Sequence, residues 1–287
     1  MILNVYKPKG ISSFQCVNEV RKRTGEKKAG HAGTLDPNAE GVLPVMLGKA
    51  TRVNEFFLDF DKGYECEILF GKETDTCDIW GEVVKKADYS HVTYESLLET
   101  LNRFKGAQKQ VPPMYSAIKK DGVPMYKLAR KGKKVDLPAR DINIYSIELK
   151  SFNDNIARIS VTCSKGTYIR SLCRDIGLAL DTVACMYSLI RTHYGEYSYE
   201  DAVRLEDIGE DYEAYAHSID SVLKYFPSTE LNEKQKNDYM NGKKVVLKEI
   251  YDKEGIRLYY MDEMFALAKT IVTGNETILK PWKYFGE

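Results

Sequence analysis

The chain has 287 residues, 43% of them hydrophobic and 29% charged, and its 42 basic and 42 acidic side chains cancel. That supports a sizeable core in one large domain or a large and a small one, and no apolar run approaches the roughly 18 residues that span a bilayer. The opening MILNVYKPKG runs straight to charges and a proline, so no secretory leader is expected, while six cysteines with no CxxC and no histidine pairing predict free thiols, no metal and a cytoplasmic protein.

The zero net charge is unevenly distributed. Residues 1–58 carry +4, 59–111 carry −4, 112–180 carry +7, 181–221 carry −8 and 222–287 carry +1. Local fields, not the total, steer a polyanion. Neither a Walker A loop nor a Rossmann fingerprint is present, and no cofactor is expected.

Lys7-Pro8-Lys9-Gly10 forms a stiff turn. Ser12 with Gln15 reads as a capping box, and Phe14, Val17 and Val20 give a helical face that stops at Gly25. The basic residues Arg21, Lys22, Arg23, Lys27 and Lys28 lead into Gly30-His31-Ala32-Gly33-Thr34-Leu35-Asp36-Pro37-Asn38-Ala39-Glu40-Gly41. Three glycines and a proline mark a tight loop, and the apolar run Val42–Leu47 anchors it. Asp36 is the candidate reactive group. An N-cap aspartate followed by Pro37 at the first helical position is the alternative, but capping explains neither His31 nor the glycines.

Residues 64–70 alternate as a strand does, with Tyr64, Cys66, Ile68 and Phe70 on one face; by itself Tyr64 reads as a core-edge tyrosine. Gly71 to Gly81 is a polar turn containing Asp75 and Asp78. Thr93 opens a helix with Leu97, Leu98, Leu101 and Phe104 inside, ended by Gly106. From Lys119 to Lys134, seven basic residues (Lys119, Lys120, Lys127, Arg130, Lys131, Lys133, Lys134) stand against one acid, flanked by Tyr115 and Tyr126. Basic groups interleaved with aromatics suit an element that clamps RNA backbone and stacks bases; a solvated amphipathic helix is the alternative.

Residues 156–163 form another strand, with Ala157, Ile159, Val161 and Cys163 on one side. Thr167 reads as the N-cap of a helix burying Ile169, Leu172, Cys173, Ile176 and Leu180. Arg170 falls in its first turn, where the helix dipole opposes a cation, so an anion is expected beside it. Residues 196–221 read as an acidic helical surface segment. Beyond Tyr225-Phe226-Pro227, the short runs Val245–Leu247, Ile256–Met261, Phe265–Val272 and Thr277–Leu279 suit a small β-barrel.

Taken whole, GHAGTLDPNAEGVLPV resembles the catalytic motif of the bacterial tRNA pseudouridine-55 synthase (TruB) family. The resemblance extends in order through KPKG, the Tyr64 strand, VPPMYSAIKKDGVPMYKLARKG, SKGTYIRSL and Leu189-Ile190-Arg191, although Ile190 stands where arginine is more usual. It implies an α+β fold: a mixed central sheet with flanking helices, a thumb-like insertion near 112–140, and a small C-terminal PUA-like barrel. The corresponding division is a catalytic domain at 1–225 and an RNA-binding domain at 226–287.

The activity so implied is isomerisation of uridine 55 in the TΨC loop of tRNA by base flipping, in a cytoplasmic monomer that needs no cofactor and no obligatory protein partner. By resemblance Asp36 is the catalytic carboxylate and Arg170 its partner. Tyr64 stacks on the flipped uracil and helps transfer its C5 proton. His31 fills or stacks near the vacated space, Tyr168 and Leu189 line the pocket, and Lys7 and Pro8 support the loop. An RNA-guided synthase within a multiprotein particle and a non-catalytic RNA-folding module are the rival readings; the long insertion disfavours the first, and the joint presence of Asp36, Tyr64 and Arg170 disfavours the second.

Overall fold

The computed structural model describes residues 1–116, 119–120, 123–125 and 137–286, with 119, 120, 123 and 124 described by backbone alone. Strand β1 (Ile2–Lys7) passes through the Lys7–Gly10 turn into helix α1 (Ser13–Thr24). The Ser12–Gln15 capping box forms, and Gly25 closes the helix in the left-handed region at φ 69°. The buried stripe is Ser13, Cys16, Val17 and Val20, spaced i, i+3, i+4, i+7. Phe14 lies off that stripe and is 68% exposed, against its expected place inside.

Strands β2 (Ala29–His31), β3 (Glu40–Leu47) and β4 (Lys62–Phe70) follow, then the small hairpin β5 (Lys72–Thr74) and β6 (Val83–Lys86). Helix α2 (Tyr94–Arg103) starts at a Thr93 capping box; Leu97 and Leu101 are inside, but Leu98 is 42% exposed because the buried stripe passes through Leu97, Thr100 and Leu101. Strands β7 (Gly106–Gln110), β8 (Arg140–Asn153) and β9 (Ile156–Cys163), helix α3 (Ile169–Ala179), β10 (Ala184–Tyr194) and β11 (Val203–Arg204) complete this part.

Among the described residues these strands, apart from the separate β5–β6 hairpin, belong to one eleven-stranded sheet whose main path runs β11-β1-β3-β10-β4-β9-β8-β7. β1 with β11 and β3 with β10 are parallel, and the other neighbours on the path are antiparallel. Helix α1 packs on Leu3, Val5, Leu43 and Val45. Ile2, Val42 and Met46 alternate to the opposite face, against Phe56 and Phe57. Helices α2 and α3 cover the far half of the sheet through Leu97, Leu101, Leu172, Cys173 and Ile176.

Two segments depart from the sequence reading. Helix α3 takes Tyr168, not Thr167, as its N-cap, with no side-chain cap bond. Gln110 fixes the helix start instead: its Oε1 accepts from Tyr168 N at 2.8 Å and its Nε2 donates to Tyr168 O at 3.1 Å. Residues 196–221 are short bridges and 3₁₀ turns with one four-residue helix, Ile219–Val222. Tyr197, Val203, Leu205 and Ile208 are buried at spacings that no helical stripe supplies.

The tail forms a second sheet, curled into half a barrel, from β12 (Ser228–Glu230), β13 (Val245–Leu247), β14 (Gly255–Tyr260), β15 (Glu263–Thr273) and β16 (Glu276–Tyr284), in the order β12-β14-β15-β16-β13. Its own core includes Leu231, Leu247, Ile256, Leu258, Phe265 and Leu279. Helix α4 (Glu233–Met240) was not expected from periodicity, since Tyr239 is its one buried residue; its Asn232–Gln235 capping box was the available signal. Phe56, Phe226 and Trp282 join the two sheets edge-to-face, with ring centroids 5.2–5.8 Å apart.

Candidate active site

No helix follows Asp36. Residues Asp36–Ala39 form a turn in which Ala39 N donates to Asp36 O at 3.1 Å, so Pro37 sets the turn, not a helix start. The neighbours of Asp36 are held by polar groups directed at the backbone. Ser13, buried on α1, exchanges two hydrogen bonds with Leu35: Leu35 N donates to Ser13 Oγ at 2.9 Å, and Oγ donates to Leu35 O at 3.0 Å. Pro37 O accepts from Gly10 N at 2.9 Å and from Lys7 Nζ at 3.2 Å. Lys7 is fully buried; its ammonium also donates to Pro8 O and Ile11 O, and desolvation lowers its pKa to about 8. A loop without a ladder has its carbonyls satisfied in this way.

Arg191 braces the other side. Its buried guanidinium donates to Val42 O at 2.7 Å and Gly33 O at 3.1 Å. Gly41 lies against the same strand at φ 104°, where an added Cβ would sit 2.3 Å from Arg191 O; only glycine permits that approach.

Asp36 faces Arg170, 134 residues away, across a two-pronged contact: Arg170 Nε lies 2.9 Å from Oδ2, and Nη2 donates to Oδ1 at 3.2 Å. Nη2 also donates to Tyr115 O at 2.8 Å and Nη1 to Thr76 O at 3.1 Å, so the guanidinium is fixed on every side. The anion expected beside Arg170 is therefore a carboxylate. The Arg170 side chain is 8% exposed, whereas Asp36 keeps 36% of its side-chain surface open, so the pair is buried from behind and accessible from the front.

A second carboxylate, Asp78, completes the group at 3.8 Å from Arg170 Nη1. Its Oδ1 accepts from Thr76 Oγ1 at 2.7 Å and Trp80 N at 3.1 Å. The acids of the Gly71–Gly81 turn were visible in the sequence; which of them turned inward was not. Burial pushes the Asp36 carboxyl above its ordinary value, Arg170 pulls it back, and Asp78 adds to the rise.

A cavity of about 250 Å³ opens in front of this group, lined by Asp36, Asn38, Thr76, Asp78, Trp80, Tyr115, Arg170 and Met186 among others. Of the expected site residues, Asp36 and Arg170 line it. Tyr64 and Leu189 are buried together with Leu35 and Ala39 in the layer behind the loop, and the desolvated Tyr64 phenol is pushed well above its usual range. Tyr168 is half-buried at the start of α3. His31 is half-buried on β2, and burial, with Arg191 nearby, lowers its pKa and favours the neutral imidazole. Lys127, Arg130, Lys131, Lys133 and Lys134 lie outside the described residues. Lys119–Lys120 pairs with Val123–Pro124 by backbone, and the side chains of Lys119 and Lys120 are likewise outside the description. Among the described residues no helix is long and apolar enough to cross a membrane.

Residues 21–169 match the family model described as TruB family pseudouridylate synthase, N-terminal domain, and residues 170–227 match that described as tRNA pseudouridylate synthase B C-terminal domain. A tRNA pseudouridine synthase B of Clostridium perfringens is 46% identical over 257 residues, covering 88% of this chain and 87% of that one. The protein of the same name from Clostridium tetani is 41% identical over 282 residues, with 96% and 98% covered. In fold, the chain is similar to a solved Cbf5-Nop10-Gar1 complex, at a TM-score of 0.75 and 24% identity, over 99% of this chain and 84% of that one.

Proposed function

The chain belongs to the TruB family of pseudouridylate synthases, and from that premise we propose that it isomerises uridine 55 in the TΨC loop of tRNA. The single observation that carries the chemistry is the carboxylate of Asp36, aimed into the cavity and gripped by the Arg170 fork.

The isomerisation breaks the N1–C1′ bond, turns the uracil and joins C5 to C1′; the C5 proton leaves at the end and the freed N1 takes one up. The uridine must leave its stack to reach Asp36. The carboxylate acts on the ribose, by attack on the sugar or by removal of its 2′ proton; both require the ionised form, which Arg170 favours. Arg170 aims as well as charges, because a guanidinium fork fixes both carboxylate oxygens. Tyr64, behind the loop with Leu189, is assigned to the base, on which it stacks and whose C5 proton it helps move. His31 and Tyr168 are assigned to the space around the flipped nucleotide.

We assign the seven basic residues from Lys119 to Lys134 to the RNA backbone, residues 1–225 to the catalytic domain and 226–287 to an RNA-binding, PUA-like domain. The separate apolar core of the tail supports that division. The cytoplasm and a monomeric, partner-free state complete the reading.

Incubating purified protein with unmodified tRNA transcript and mapping pseudouridine tests it: one new pseudouridine at position 55 is expected. Asp36→Asn keeps the shape and removes the charge. Its turnover should fall by at least about 10²–10⁴-fold while tRNA affinity, dominated by phosphate contacts, is retained. Undiminished turnover would remove Asp36 from the mechanism.

A further inference from the structure

Trp80 is one of two tryptophans in the chain. It is 45% exposed and lines the same cavity as Asp36 and Arg170. A single exposed aromatic is ordinary. What distinguishes this one is the rigidity of the backbone beneath it. Ile79 N donates to Met186 O at 2.9 Å, Met186 N to Cys77 O at 3.0 Å, and Trp80 N to Asp78 Oδ1 at 3.1 Å. Gly81 follows with no room for a Cβ, which would lie 2.3 Å from Thr76 Oγ1. The indole is thus carried on a turn clamped to β10, and Asp78 connects that turn to the Arg170 guanidinium.

Lys9, from the turn after β1, places its ammonium 5.1 Å from the indole centroid. The neighbouring Gly10 is bonded to Pro37 O, next to Asp36, so the two sides of the cavity mouth meet at this cation–π contact. The cavity, at about 250 Å³, falls below the roughly 300–1,000 Å³ of pockets that enclose drug-sized ligands. A space of that size suits a single nucleotide. The neighbour must lie on the rim, where a fixed, half-exposed indole and a lysine offer a base-stacking face and a phosphate contact.

We propose that Trp80, with Lys9, is the stacking platform for the nucleobase adjacent in sequence to the flipped uridine, and that it positions the reacting nucleotide by holding its neighbour. This rests on the proposed RNA substrate. The platform contributes binding and register and takes no part in bond making.

The test uses the full-length protein and a TΨC stem-loop, intact or carrying an abasic nucleotide on one side or the other of the target uridine. Trp80→Ala should weaken binding of the intact RNA by about 5- to 150-fold, the range of base–aromatic stacking. Trp80→Phe should recover most of the loss. One of the two abasic RNAs should bind the wild type weakly, and Trp80→Ala should weaken it no further. RNA should quench the wild-type tryptophan emission more than that of Trp80→Phe, in which Trp282 is the remaining reporter. Equal losses on intact and both abasic RNAs, or no loss on any, would overturn the platform. Absence of pseudouridine formation by the wild type on intact tRNA would instead overturn the functional reading.

Discussion

The Asp36 loop and the C-terminal sheet solve the same problem by opposite means. Between His31 and Glu40 the backbone has no ladder, and its polar groups are met one at a time by Ser13, Lys7, Gly10 and Arg191. In the tail, β14, β15 and β16 satisfy each other in antiparallel register, with one irregularity in each pairing, over an apolar core. The loop therefore depends on buried side chains from distant positions, and a change in any of them reaches Asp36. The tail depends mainly on itself, and on an aromatic seam with the larger body.

Glycine-to-alanine changes should separate the two regions most sharply. Gly41→Ala drives a Cβ into the Arg191 backbone at φ 104°, and should destabilise the protein by about 2–6 kcal/mol with loss of turnover. Gly274→Ala, at φ 59° with open space around it, should cost only about 1–2 kcal/mol and leave turnover intact. Equal denaturation midpoints for the two variants would break the comparison.

The seam should carry stability without chemistry. Phe56→Ala opens the contact with Phe226 and Trp282 and should cost about 3–5 kcal/mol in urea unfolding, while kcat stays at the wild-type value well below the unfolding transition. A fall in kcat matching the loss of stability would couple the tail to the site.

Arg170→Lys should act in the reverse sense. It keeps the charge but loses the fork, so the protein should fold and bind RNA nearly normally while single-turnover chemistry slows about 10²-fold. Lost affinity with undiminished chemistry would make Arg170 a phosphate contact and dissolve its pair with Asp36.

The smallest expected effect is in pH dependence. The folded Asp36 pKa lies above its ordinary 3.8 through burial, so folded Asp36 binds its proton more tightly than the unfolded chain does. As pH rises from 3.8 through the folded value, this group's contribution to stability declines, while turnover rises because the ionised form is the active one. Arg170→Gln, which removes the cation that lowers the pKa, should move the acid limb of kcat/KM to higher pH; an unmoved limb would mean that another group titrates there.

Local periodicity made much of the fold legible. The alternation in Tyr64–Phe70 and Ile156–Cys163, the capping boxes at Ser12 and Thr93, and the short apolar runs of the tail all correspond to observed elements. Where burial did not follow a stripe, as at residues 196–221 or in α4, the reading failed. At the site, the Asp36 loop was visible because capping explains neither His31 nor the glycines and the motif resembles that of a known family, and Arg170 because a cation in a first turn conflicts with the helix dipole.

The sequence by itself determined the strands and helices with periodic faces, the loop that carries Asp36, and the need for an anion near Arg170, since these follow from neighbours within a few residues. Only the tertiary structure decided that Asp36 is that anion, that Asp78 rather than Asp75 faces Arg170, that Lys7 and Arg191 are buried beneath the loop, and that Trp80 stands at the cavity mouth. Those placements arise where β1, β3, β4 and β10 come together in one sheet and α3 packs against it, bringing into contact side chains more than a hundred residues apart. No local energy term in the chain contains that distance.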